Sequence, residues 1–246
     1  MSIDPAHAAI LVVAGIASGW VNTIAGAGGV IAVPALLLWG LPATIANGTL
    51  RVAIVAQNII GGTGFIRARK LPATGVVATT VPALLGALGG SLVATRLDPR
   101  AIEILLLVAF GLTIASVIRA PAARADHPPR LGLAAIAGLV IAGFYGGLVQ
   151  TGVGLVLLAV LTTGIGHDLV AANALKVIVT LAFNVVALAV FAIAGQVAWL
   201  PGALLGAGSM VGAWLGVRFA TRASHGTIRV VVIAIAVAAA AVVILR

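Results

Sequence analysis

The chain has 246 residues, 62% of them hydrophobic and only 8% charged, against roughly 25% charged in soluble domains. That composition excludes a soluble globular fold, and the absence of cysteine excludes disulfides, thiolate metal sites and a cysteine nucleophile. The net charge of +9 does not imply nucleic acid, because most Lys and Arg stand at the ends of apolar runs, where membrane anchors are found.

Long apolar runs recur from end to end without strand-like alternation, so the sequence predicts an all-α polytopic membrane protein rather than a barrel. Met1-Ser2-Ile3-Asp4-Pro5 lacks the positive n-region of a cleavable signal. Ala8 to Leu41 is one long run, interrupted by Gly26-Ala27-Gly28-Gly29. Glycine inside a helix costs about 1 kcal/mol relative to alanine, so this stretch marks a break. Thr44 to Phe65 follows and ends at Arg67-Ala68-Arg69-Lys70; Pro72 to Thr95 ends at Arg96 and Arg100; Ala101 to Ile118 leads into a polar linker, residues 119–130. Leu131 to Ile165 is a second long run, broken around Gln150-Thr151-Gly152. Then come His167 to Ala194, Trp199 to Ala220 and Ile228 to Leu245.

This order repeats: a glycine-broken run and three ordinary helices in residues 1–118, and again in 131–246. Gly19 and Gly28 match Gly143 and Gly152, "ANGTLRV" (Ala46 to Val52) matches "ANALKV" (Ala172 to Val177) less one residue, and Gly86, Gly90 and Arg96 match Gly208, Gly212 and Arg218. Matches that keep their order indicate an internal duplication. A single helix over the first broken run would be about 50 Å long, well beyond a roughly 30 Å hydrocarbon core. Folding each broken run back as a re-entrant pair leaves three crossings per half and inverts the repeats. It also gathers Arg67, Arg69, Lys70, Arg119, Arg124, Arg130, Arg218, Arg222 and Arg229 on one face. Eight crossings in parallel repeats are the alternative.

Arg51 and Lys176 lie inside their apolar segments at equivalent repeat positions. A charge at the bilayer centre costs at least ~2.5–3.5 kcal/mol on insertion scales, so each needs a reason. One reading is a snorkelling cation or one that holds a helix end through a carbonyl. The other is a pair of cations facing one cavity and binding an anion. Asn47, Gly48, Thr49 and Asn173 precede them, and Gln57, Asn58 and Asn184 follow; such groups complete an oxyanion's shell or bridge helices. Half-helices starting at Gly26, Gly28, Gly29 and at Gln150, Thr151, Gly152 would point amide N–H groups at the same anion, with Asn22 beside the first break. Gly86, Gly90, Gly208 and Gly212 read instead as close helix packing. Asp168 at the start of a helix reads as its cap. No catalytic or metal-binding set and no phosphate-cradling loop is present, so the chain reads as a non-enzyme without a cofactor.

The stretch from Gly19 to Thr49, "GxxNTIAGAGGVIAVPALLLWGLPATIANGT" with a basic loop beyond it, resembles the TauE/SafE sulfite-exporter family, also called the toluene sulfonate uptake permease family. "GFYGGLVQTGVG", "ANALK" and the segment Gly208 to Arg218 are similar to that family's second repeat. Ala27 and Gln150-Thr151 depart from its pattern. The resemblance implies a secondary transporter of small sulfur oxyanions such as sulfite, sulfoacetate or other organosulfonates in a bacterial-type cytoplasmic membrane. The substrate would be held between the repeats and moved by alternating access. A channel-like anion pore and an accessory membrane subunit are the rival readings. The expected partners are the anion and the bilayer, with a homo-oligomer compatible and nucleic acid not.

Overall fold

The computed structural model describes residues 5–72, 75–119 and 129–221. Most of the polar linker, the last apolar run and Arg124, Arg222 and Arg229 lie outside the described residues. Every regular element within them is helical: α1 (Pro5–Ala25), α2 (Gly29–Leu38), α3 (Ala43–Arg67), α4 (Val76–Ala94), α5 (Pro99–Arg119), α6 (Leu133–Leu148), α7 (Val153–Ala159) with a π-helical turn at Val160–Gly164, α8 (Leu169–Ile193) and α9 (Trp199–Ala220). Among the described residues, α1, α3, α4, α8 and α9 are long and apolar enough to cross a membrane.

Both predicted breaks are present. Gly26 (φ 75°) ends α1, and Gln150 (φ 64°) and Gly152 (φ 78°) separate α6 from α7. Glycine enters this left-handed region without penalty, whereas Gln150 does so at a steric cost. The arms around the breaks are unequal, 21 and 10 residues for α1 and α2, where the sequence predicts about 15 each. The run is apolar almost from Pro5, so the first arm lengthens backward, and the Trp39-Gly40 turn stops the second. The ends of each pair nevertheless come together. The His7 and Trp39 rings lie 6.1 Å apart, and Arg130 N donates to Ile165 O at 2.8 Å.

Glycine sets how the long helices pack. Gly208, Gly212 and Gly216 of α9 lie against Val12, Ile16 and Trp20 of α1 in that order, so these helices run parallel. A side chain at Gly208 or Gly212 would strike the Val12 or Ile16 carbonyl, and one at Gly15 or Gly19 would strike Leu205 or Ser209. The same contact joins α4 to α6, where Gly86 and Gly90 meet Val140 and Phe144 while Gly143 and Gly147 meet Ala83 and Ala87. Such small-residue seams suit lipid, where water expulsion does not drive helices together and close van der Waals contact must. α3 also runs parallel to α9, with Gly202 beside Thr49 and Val52 and Val217 beside Gly64. It runs antiparallel to α8, Asn58 bonding Thr180 while Gly61 meets Val177. The seams are therefore α1 on α9 and α6 on α4, with α3 and α8 crossing between them.

Replacing Gly90 by Leu is expected to prevent folding, because the new side chain would meet the Phe144 backbone. Gly111→Ala, with open space at that position, is expected to be neutral or slightly stabilising, as helix propensity dictates. Thermal unfolding in detergent, read for both variants, checks the contrast.

Candidate anion site at the two helix breaks

A helix that stops inside an apolar interior leaves carbonyls without partners. In α6 those are supplied from α3. Arg51, 0% exposed, sends Nη1 to Gly146 O at 2.5 Å and Nη2 to Gly147 O at 2.8 Å. Asn47, one turn earlier, donates Nδ2 to Leu148 O at 2.8 Å. Nη1 is further shared with Gln150 Oε1 at 3.0 Å and Asn184 Oδ1 at 3.2 Å, and the guanidinium lies 5.2 Å from the centre of the Phe191 ring. Lys176 of α8 does the same for α1, donating Nζ to Asn22 O at 2.9 Å and Thr23 O at 3.2 Å. Each cation thus holds the end of the broken helix from the opposite half. A cation at a helix C-terminus also complements the negative end of the dipole.

Among the described residues, no carboxylate balances these charges. The acidic groups among the described residues, Asp98, Glu103 and Asp168, are all exposed. Asp168 caps α8, its Oδ1 accepting from Val170 N at 2.9 Å and Ala171 N at 3.0 Å. Burial draws the neighbouring His167 imidazole below its ordinary pKa, with the Asp168 charge opposing.

The two breaks touch. Gly26 lies so close to Gly154 that a side chain on either would strike the other's backbone. Gly29 faces Thr151 Oγ1, Gly28 packs on Ser18 O, and Gly152 packs on Thr113. Ser18 Oγ donates to Gly28 O at 2.8 Å, and Tyr145 OH donates to Thr151 O at 2.6 Å. The structure therefore brings Asn22, Gly26, Gly28, Gly29, Asn47, Arg51, Gln150, Thr151, Gly152 and Lys176 to one region. Gly48 and Thr49 face elsewhere: Gly48 lies against Gln196 O, and Thr49 Oγ1 accepts from Ala198 N at 2.9 Å. They fix the turn between α8 and α9. Gln57 is 0% exposed, and neither end of its amide has a partner. Asn173 is buried with an unpartnered Oδ1.

Sequence reasoning passes over Tyr145, Ser18 and Thr113. A lone tyrosine in an otherwise apolar, glycine-rich segment was the available signal for the first. Ser18 and Thr113 carry none, since a hydroxyl within a helix usually bonds its own preceding turn. Among the described residues, no group of His, Asp or Glu could hold a metal ion.

A family described as "Sulfite exporter TauE/SafE" matches residues 11–243. A "Probable membrane transporter protein" of Haemophilus influenzae is 28% identical over 92% of the chain and 89% of its own length. "Probable membrane transporter protein ORF9" of a Sinorhizobium species is 28% identical over 86% and 82%. "Probable membrane transporter protein YfcA" of Escherichia coli K12 is 24% identical over 94% and 87%. No solved structure matches the chain.

Arg51→Gln is expected to destabilise the fold by several kcal/mol, since buried acceptors left unpaired cost about 1–3 kcal/mol each. Tyr145→Phe, which removes one bond, is expected to cost about 1 kcal/mol. Denaturant unfolding of the purified variants measures both; an Arg51→Gln protein as stable as the parent would refute the carbonyl clamp.

Proposed function

The chain belongs to the TauE/SafE family of membrane transporters, and on that premise we propose that it is a secondary carrier of small sulfur-containing oxyanions: sulfite, sulfoacetate or another organosulfonate. The observation that carries the reading is the pair of buried cations, Arg51 and Lys176, beside two touching helix breaks, with no carboxylate among the described residues to balance them. An interior of that charge favours an anion over any cation. The anion would sit between the halves, against the breaks at Gly26–Gly29 and Gln150–Gly152, with Asn47, Gln57 and Asn173 at its margins.

In the membrane, residues 1–118 and 131–246 form inverted repeats, and α1–α2 and α6–α7 enter from opposite faces and return. The helix directions and the paired ends of each broken run support this topology. It places Arg67, Arg69, Lys70, Arg130 and Arg218 on one face and Arg96 and Arg100 on the other, so the first face is cytoplasmic. Movement of one half against the other would open the site to each side in turn, and the Gly26–Gly154 contact would close the path between.

The cysteine-free chain lends itself to a test of topology. Cysteines at Leu131 and His167 are expected to react with an impermeant maleimide from the same face; opposite faces would overturn re-entry. In proteoliposomes the protein is expected to take up sulfite or sulfoacetate with saturation and counterflow. Flux without either would indicate a pore, and the absence of both flux and binding for every sulfur oxyanion would defeat the proposal.

A further inference from the structure

The two broken pairs close differently at their outer ends. Between α1 and α2 aromatic rings meet, His7 against Trp39 at 6.1 Å, and Trp39 packs on the core cluster that contains Leu11 and Leu36. Between α6 and α7 the facing residues are small. Ala134 and Ala135 of α6 are separated from Ala159, Val160, Thr163 and Gly164, at the end of α7 and in its π-turn, by a groove of about 250 Å³. Four of the six, Ala134, Ala159, Thr163 and Gly164, are exposed, so the groove opens at the protein surface. Leu133, just before Ala134, is 86% exposed, as a lipid-facing leucine would be. The one side-chain hydroxyl of the lining is already spent, Thr163 Oγ1 donating to Ala159 O at 2.6 Å. One wall is the π-turn itself, where Ile165 N reaches back to Val160 O at 2.9 Å; such turns are rare and are frequent at functional sites.

Cations stand at the same end of the molecule. Arg130 lies four residues before Ala134, its amide bonded to Ile165 O at 2.8 Å and its side chain exposed. Lys70 is exposed beside Leu71, which packs on the core cluster that includes Ala135 and Ile165. The acid at this end, Asp168, is turned to its own helix, with Oδ1 accepting from Val170 N and Ala171 N. The geometry points to a phospholipid site, in which one acyl chain lies in the groove between α6 and the π-turn and an anionic headgroup, such as that of phosphatidylglycerol, meets Arg130 and Lys70. A hydrocarbon chain suits a lining of alanine, valine and glycine that has no free hydroxyl to satisfy, and cations at a membrane surface favour anionic headgroups. The linker before Arg130 is poor material for the same groove, since it carries Arg119, Arg124, Asp126 and His127. The lipid does for the second pair what Trp39 does for the first: it closes the outer ends of the two arms.

The test titrates the full-length protein in detergent with phosphatidylglycerol and with phosphatidylcholine of the same acyl chains. Native mass spectrometry counts the bound lipid, and thermal unfolding is followed in parallel. The parent is expected to take its first phosphatidylglycerol roughly 30-fold more tightly than phosphatidylcholine, as two cations beside a headgroup provide, and to unfold at a higher temperature with it. Glycerol 3-phosphate, a free headgroup, is expected neither to bind nor to stabilise. Thr163→Trp, which gives the second pair the kind of side chain that closes the first, is expected to lose the first lipid and its thermal shift. Arg130→Gln is expected to keep the lipid while its preference falls to roughly 5-fold. A parent without preference, or a Thr163→Trp protein that binds and is stabilised like the parent, overturns the site. Should Thr163→Trp not fold, an undiminished preference in Arg130→Gln overturns it instead. Displacement of the lipid by glycerol 3-phosphate would make it a free-phosphate site and overturn it as well.

Discussion

The fold depends on how a helix can end inside an apolar interior. Where water is excluded, each terminal carbonyl left unpaired costs several kcal/mol. Here the donors are cationic side chains from the opposite half: Arg51 with Asn47 closes α6, and Lys176 closes α1. The arrangement serves both parties. The broken helix gains donors, and the buried charge gains the acceptors and negative dipole end that make its desolvation tolerable. The breaks, in turn, leave the Thr151 hydroxyl buried and without a partner among the described residues.

The small-residue seams make this crossing possible. Glycines on α1, α9, α4 and α6 let each broken helix lie backbone to backbone on a long helix of the other half. That proximity carries the Asn22 and Thr23 carbonyls to Lys176 and the Gly146 and Gly147 carbonyls to Arg51. Wider spacing would leave cation and carbonyl out of reach. Packing and electrostatics act together on the same two helices: the seams hold α1 on α9 and α6 on α4, while cations from α8 and α3 bond their ends.

Much of this was legible in the sequence, because much of it is local. Apolar length placed the spans, with Trp199–Ala220 matching residue for residue, and the glycine clusters placed both breaks. Order-preserving matches singled out Arg51 and Lys176. What they bond was not legible, since the carbonyl partners lie 95 and 154 residues away and spacing carries no information across such gaps. For the same reason Gly48 and Thr49 looked like neighbours of Arg51 in function as in sequence. On a helix they point away from it, toward the turn before α9. The unequal arms of the first pair escaped because a continuous apolar run does not show where a helix begins.

The distance between Lys176 and Asn22 has a consequence for biogenesis. A chain is made from its N-terminus, so α1 and its break exist long before the residue that closes them. Until α8 is made, the carbonyls of Asn22 and Thr23 have no cation from the second half. The first half must therefore be held in a less apolar setting, or in a provisional arrangement, while the second is synthesised. The clamp at Arg51 waits in the opposite sense, its cation ready and its carbonyls still to come. Completion of the interior is thus a late event, and it cannot be finished by either half before the other has entered the bilayer.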